Sequence, residues 1–159
     1  MTTFPTAFIA AARAELGVHE LQPNSGPKID AWLHAAGVAS PNPWCAAFVY
    51  AMARKAGWKS KIDHPASCDG WIAWAIKNKR LIDRPSLGDL VVYNWDGGHQ
   101  DHIGIVESIR PMSGNRFVIS AIEGNTQGTN GALADGVYHR VRTIDAHSVK
   151  FIRLYAVAK

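Results

Sequence analysis

The sequence is short of cysteine, of charge and of long apolar runs, and each shortage narrows what the protein can be. Only two of its 159 residues are cysteines, Cys45 and Cys68. Two thiols are a poor disulfide framework. They leave three uses: one bridge, half of a metal site, or a nucleophile beside a bystander. The longest apolar stretch near the start, Ala7 to Ala12, is far too short to cross a bilayer, so no membrane span is expected. Nor does it carry the basic leader and small-residue cleavage site of a signal peptide, which leads us to expect synthesis in the cytoplasm without one. Charged residues make up 19%, with no arginine-rich run, RNA-binding signature or zinc-finger spacing. Nucleic acid is therefore not the expected partner. The net charge of +4 and pI near 9.2 instead favour encounters with polyanionic surfaces, by steering rather than by specific recognition.

What is present divides into two halves. The first half carries helical periodicity, with helices expected over Thr6–Leu16, Lys28–Ala36, Trp44–Ala56 and about Ala66–Lys79. Gly17, Gly37 and Gly57 are natural stops for the first three. The second half changes period. Asp89–Asn94, His102–Ile109, Arg116–Ile122, Val137–Arg142 and Val149–Val157 are short runs rich in Val, Ile and Tyr, parted by turn residues and by a polar loop from Gly124 to Gly136. Helices followed by a meander of strands predict an α+β fold with an antiparallel sheet of five or more strands. No repeat or linker interrupts it, so residues 1–159 are expected to form one domain.

The richest segment is Pro43-Trp44-Cys45-Ala46-Ala47-Phe48-Val49. Cys45 falls in the first turn of an expected helix, just after a proline-rich lead-in. Unpaired backbone N–H groups and the positive end of the helix dipole stabilise a thiolate there, and the same N–H groups can receive an oxyanion. A buried structural cysteine is the plainer alternative. A thiolate nucleophile needs a base, which can be distant in sequence. Among seven histidines, His102 stands out because it follows Asp96-Gly97-Gly98 and opens the strand His102-Ile103-Gly104-Ile105-Val106. Gly104 lies on the same strand face and leaves space beside the imidazole. The third element is Ile122-Glu123-Gly124-Asn125-Thr126. Either Glu123 or Asn125 could hold the ring in one tautomer, and Asn125 could alternatively line the oxyanion site.

Taken together, Trp44–Val49, Gly88–Tyr93, His102–Val106 and Glu123–Thr126 resemble the CHAP family, the cysteine, histidine-dependent amidohydrolases/peptidases related to the NlpC/P60 enzymes. The resemblance runs from about Gly17 to the C-terminus. It implies a papain-like core and a lytic enzyme of the endolysin type that cuts peptidoglycan amide bonds, acting on the wall or periplasm after release or delivery, as a monomer and without a cofactor. Cys45 is then the nucleophile and His102 the base, with Glu123 and Asn125 as polar partners. Trp44, Trp95 and His99 are the candidates for substrate contact. Trp71 and Trp74 are further groove candidates, with core packing expected for at least one of them. Calcium sites in some relatives are built from acidic residues before the nucleophile; here Glu20 and Asp30 are too scattered, and no metal is expected. His99 and His102 form an H-x-x-H pair that lacks a cluster of further zinc ligands. Cys68 reads as a spectator, or as a partner for Cys45 that would inactivate it. A delivered amidase toxin would use the same residues, whereas a wall-binding module without activity would not need all of Cys45, His102 and Glu123.

Overall fold

Proline in the first turn and glycine beyond the last bracket the early helices, as helix-end chemistry requires. In the computed structural model, which describes residues 2–128 and 134–156, the helices are α1 (Phe4–Arg13), α2 (Pro27–Ala35), α3 (Cys45–Lys55) and α4 (Cys68–Lys77). Pro27 opens α2, while Gly37 and Gly57 follow α2 and α3 at φ of 82° and 96°. The last helix begins two residues later than its periodicity suggests. Ser67 is extended there, and its hydroxyl caps the helix by accepting from the Gly70 N–H at 3.2 Å.

Six strands follow among the described residues: β1 (Leu81–Ile82), β2 (Leu90–Tyr93), β3 (His102–Pro111), β4 (Arg116–Gln127), β5 (Asp135–Asp145) and β6 (Val149–Ile152). They form one antiparallel sheet in the order β1-β6-β2-β3-β4-β5. The fold is α+β, consistent with a papain-like architecture. Two boundaries differ from expectation for a physical reason. β4 continues past Glu123 through a bulge in which Asn125 takes φ of 54°, after which Thr126 and Gln127 pair again with Gly136 and Asp135. The polar loop expected from Gly124 to Gly136 is correspondingly shorter, and its residues 129–133 lie outside the described residues. The final strand ends at Ile152, and Val157 also lies outside them.

The period of two sorts the sheet into faces. Leu90, Val92, Ile103, Ile105 and Ile122 pack with α1 to α4 in the main core. Val91, Tyr93, Val106, Ile119, Ala121 and Phe151 form a second cluster on the opposite face. Because Tyr93 pairs with His102 and the register sets Gly104 opposite Glu123, both titratable residues belong to the Tyr93 face. Asp89, in the Gly88–Tyr93 motif, is fully buried and has a structural partner: Arg153 donates to its carboxylate at 2.6 and 2.9 Å.

Candidate active site

Cys45 is the first residue of α3, a helix whose start has no side-chain cap. The N–H groups of that first turn have no partner within the helix. The preceding residue is held from three sides. The Trp44 indole is fully buried, packs on Trp32 at 5.7 Å, and donates through Nε1 to Glu20 Oε1 at 2.9 Å. Oriented to satisfy its neighbours, the Asn125 amide accepts from the Trp44 backbone N–H at 3.3 Å and donates to Glu20 Oε1 at 3.2 Å. One carboxylate thus ties the loop after α1, the start of α3 and the bulge of β4. Gly124 lets the strand come this close: a Cβ there would lie 2.8 Å from Phe48 Cβ and from Trp44 Cζ3.

His102 is the first residue of β3, so its ring stands at the end of the sheet, where the start of α3 arrives. Its Nε2 meets Glu123 Oε2 at 2.8 Å, which leaves Nδ1 as the nitrogen free for the thiol. The space that Gly104 provides goes to Glu123, since a Cβ at position 104 would stand 2.8 Å from Glu123 Cγ. Glu123 is fully buried, and Arg142 on β5 closes over it, with Nη2 at 3.0 Å from Oε2. The same guanidinium lies over the rings of Tyr93 and Trp95, at 5.0 and 5.6 Å. Trp95 stacks in turn on the His102 imidazole at 5.7 Å.

These neighbours set the charge states. The Cys45 thiol is held well below its ordinary range by a hydrogen bond from Cys68, whose Sγ lies 3.7 Å away, and by the hydrogen bond and charge of His102. Burial opposes this, and the Ala46 N–H supports it. Cys68 moves the other way: its hydrogen bond to Cys45 and its burial keep it protonated. For His102, burial disfavours the imidazolium, but hydrogen bonds and charges from Cys45 and Glu123 outweigh it and raise the pKa to about 9. Burial likewise pushes Glu123 up, and His102 and Arg142 bring it below the usual carboxylate range. The group is thus a thiolate beside an imidazolium, backed by a carboxylate and a guanidinium. Such a thiolate attacks an electrophilic carbon, and such an imidazolium protonates what leaves.

Cys45 separates two cavities. One, of about 530 Å³, runs past Asp63, His64, Cys68 and Gln100; the other, of about 480 Å³, runs past Trp95, His102, Gln127 and Arg140. A larger cavity of about 690 Å³ lies elsewhere, around Phe117 and Phe151, and touches none of the candidate residues.

The structure brings Cys45, His102 and Glu123 together; Asn125 lines the same cavity as Cys45 and His102 but is hydrogen-bonded to Trp44 and Glu20 rather than to the imidazole. Glu123 alone occupies the position expected for either of them. Trp44 cannot touch substrate with its side chain, because the core encloses it. Trp71 and Trp74 are also buried, packed against Trp58 at 5.4 and 5.1 Å. Trp95 is 62% exposed and borders the second cavity. His99 is exposed and hydrogen-bonded through Nδ1 to Asp69 at 2.8 Å. No cluster of three or more His, Cys, Asp or Glu suited to a metal occurs among the described residues, and no helix among them is long and apolar enough to cross a membrane. Sequence reasoning missed Arg142. Its only signal was a basic residue in an alternating strand, and its partner depends on the β4–β5 register.

A family model, described as the CHAP domain, matches residues 37–125, more than half of the chain. No curated protein and no solved structure matches it.

Proposed function

We propose that this chain, which belongs to the CHAP domain family of cysteine, histidine-dependent amidohydrolases and peptidases, is a peptidoglycan hydrolase with Cys45 as nucleophile. The observation that carries the reading is the His102 imidazole, fixed at Nε2 by Glu123 and set beside a thiol whose pKa it depresses.

In the proposed cycle the Cys45 thiolate attacks the carbonyl carbon of an amide. A C–S bond forms, and the carbonyl electron pair moves onto oxygen. The free N–H groups at the start of α3 receive that oxyanion. The His102 imidazolium gives its proton to the amide nitrogen as the C–N bond breaks, and the amine leaves. The neutral imidazole then takes a proton from water as the water attacks the thioester. Collapse of that second intermediate releases the acid and restores thiolate and imidazolium. Glu123 positions the ring throughout, and Arg142 keeps Glu123 ionised. Asn125 positions the Trp44–Cys45 backbone. The two cavities flanking Cys45 would take the acyl and amine portions of the substrate, with Trp95 as a stacking surface. His99 stands on the same Gly-rich loop as a further contact. The basic surface favours the anionic wall, which the protein would reach from the cytoplasm by release or delivery.

The test is digestion of purified peptidoglycan by the wild type and by Cys45→Ala, with the fragments identified by mass spectrometry. New amine termini from the wild type alone support the reading and identify the bond. No release from walls of several chemotypes would overturn it and favour a wall-binding module.

A further inference from the structure

Cys68 has no place in the cycle above, yet its sulfur is 3.7 Å from the nucleophile. Each cysteine is the first residue of a separate helix, so two helix starts converge on one pair of sulfurs. The remaining approach to bonding distance is about 1.7 Å, the difference between this contact and a disulfide. Both residues are only 7% exposed, but both line the cavity of about 530 Å³ that opens beside them. A small oxidant therefore has a route to sulfurs that bulk protein thiols cannot reach. Both cysteines are free.

We propose that Cys68 is the resolving thiol of a reversible redox switch, forming a disulfide with Cys45 that removes the nucleophile under oxidising conditions. As a regulation of catalysis the inference rests on Cys45 being the nucleophile; as a statement about the two sulfurs it does not. The oxidant is a peroxide. The Cys45 thiolate attacks one peroxide oxygen, the O–O bond breaks, and Cys45 becomes a sulfenic acid while the departing hydroxide takes the His102 imidazolium proton and leaves as water. The Cys68 thiol gives up its proton and its sulfur attacks the Cys45 sulfur. The S–O bond breaks, and the hydroxide released takes up a proton as water. Two thiols and one hydrogen peroxide thus yield one disulfide and two waters. A dithiol reverses the change by exchange. Thiolate character selects Cys45 as the sulfur that reacts first. Once Cys45 is a neutral sulfenic acid, the thiolate charge that held the Cys68 proton is gone, and the neighbouring Cys68 sulfur intercepts the sulfenic acid before a second peroxide can carry it to the irreversible sulfinic acid. Where dithiol exchange outpaces peroxide the pair stays open and the protein is active; where peroxide outpaces it the pair closes.

The experiment treats the reduced wild type with a small excess of hydrogen peroxide and reads its intact mass under denaturing conditions, before and after dithiothreitol. The expected wild-type product has lost two hydrogens, takes up no maleimide at either cysteine, and regains both thiols with dithiothreitol. In Cys68→Ser and Cys68→Ala the product instead gains two oxygens at Cys45, and dithiothreitol does not reverse it. A wild type that gains oxygen at Cys45 while Cys68 still reacts with maleimide would overturn the proposal, whatever the variants do. Wall hydrolysis is assayed on the same samples. Oxidation is expected to bring it down to the level of Cys45→Ala, and dithiothreitol to restore it. If the bridge forms but the reduced protein cuts no wall, the hydrolase reading falls and the disulfide stands.

Discussion

Gly104 and Glu123 face each other across β3 and β4, and the missing side chain of the first is the room in which the second reaches His102. A methyl group at 104 would lie 2.8 Å from Glu123 Cγ and 3.1 Å from Ala121 Cβ. Gly104→Ala should push the carboxylate off the imidazole. A misplacement of about 1 Å costs on the order of 100-fold in rate, and overpacking costs ~1–3 kcal/mol of stability. The check is kcat/KM on a soluble wall peptide together with the urea midpoint. Full activity in this variant would show that the spacing does not matter.

Glu123→Gln keeps the size of the side chain and removes its charge. The His102 pKa, now about 9, should fall toward 6.5, because one of the charges holding the imidazolium is gone. The alkaline limb of hydrolysis then moves to lower pH. A pH–rate profile of both proteins measures this, and an unmoved limb would assign the raised pKa to Cys45 alone.

Hydrolysis and alkylation should part company above pH 9. Loss of the imidazolium proton above about 9 removes the acid that protonates the leaving amine, so hydrolysis declines. Iodoacetamide needs only the thiolate, so labelling of Cys45 should persist there. Below neutrality labelling should also continue, since the Cys45 pKa lies well below its ordinary value. In His102→Ala that acidic labelling should weaken, with the Cys68 hydrogen bond as the support that remains.

Arg142→Met should leave the Glu123 carboxylate fully buried with His102 as its remaining counter-charge. Breaking a buried pair from one side costs ~3 kcal/mol, read as a shift of the denaturation midpoint. Arg142→Lys restores charge without the fork and should recover only part of the loss.

Much of the site was legible because its residues sit where local rules place them. Cys45 follows a proline-rich turn at a helix start, His102 opens a strand after Gly97-Gly98, and Glu123 precedes the next turn signal. The α+β order was legible from the change of period. What escaped depends on contacts between distant segments. β1 is two residues long and exists through its pairing with β6. Trp44 read as a candidate for substrate contact beside Cys45, but it is buried against Trp32 of α2 and Glu20, which its own segment does not reveal. Asn125 and Glu123 looked interchangeable until the bulge turned one away from His102 and left the other facing it.

The proposed reactive group is split between two layers: the Cys45 sulfur belongs to α3, with Cys68 of α4 beside it, and His102, Glu123 and Arg142 belong to the sheet. A ribosome delivers these parts in that order. While the chain is emerging, Cys45 lacks its sheet partners, and the imidazole, carboxylate and guanidinium reach it only once β3, β4 and β5 have been made and docked. Arg142, on β5, is the last of these to appear. A product stalled before β5 therefore carries Cys45 without the sheet groups proposed to activate it, and the proposed reactivity arrives only with the docked sheet.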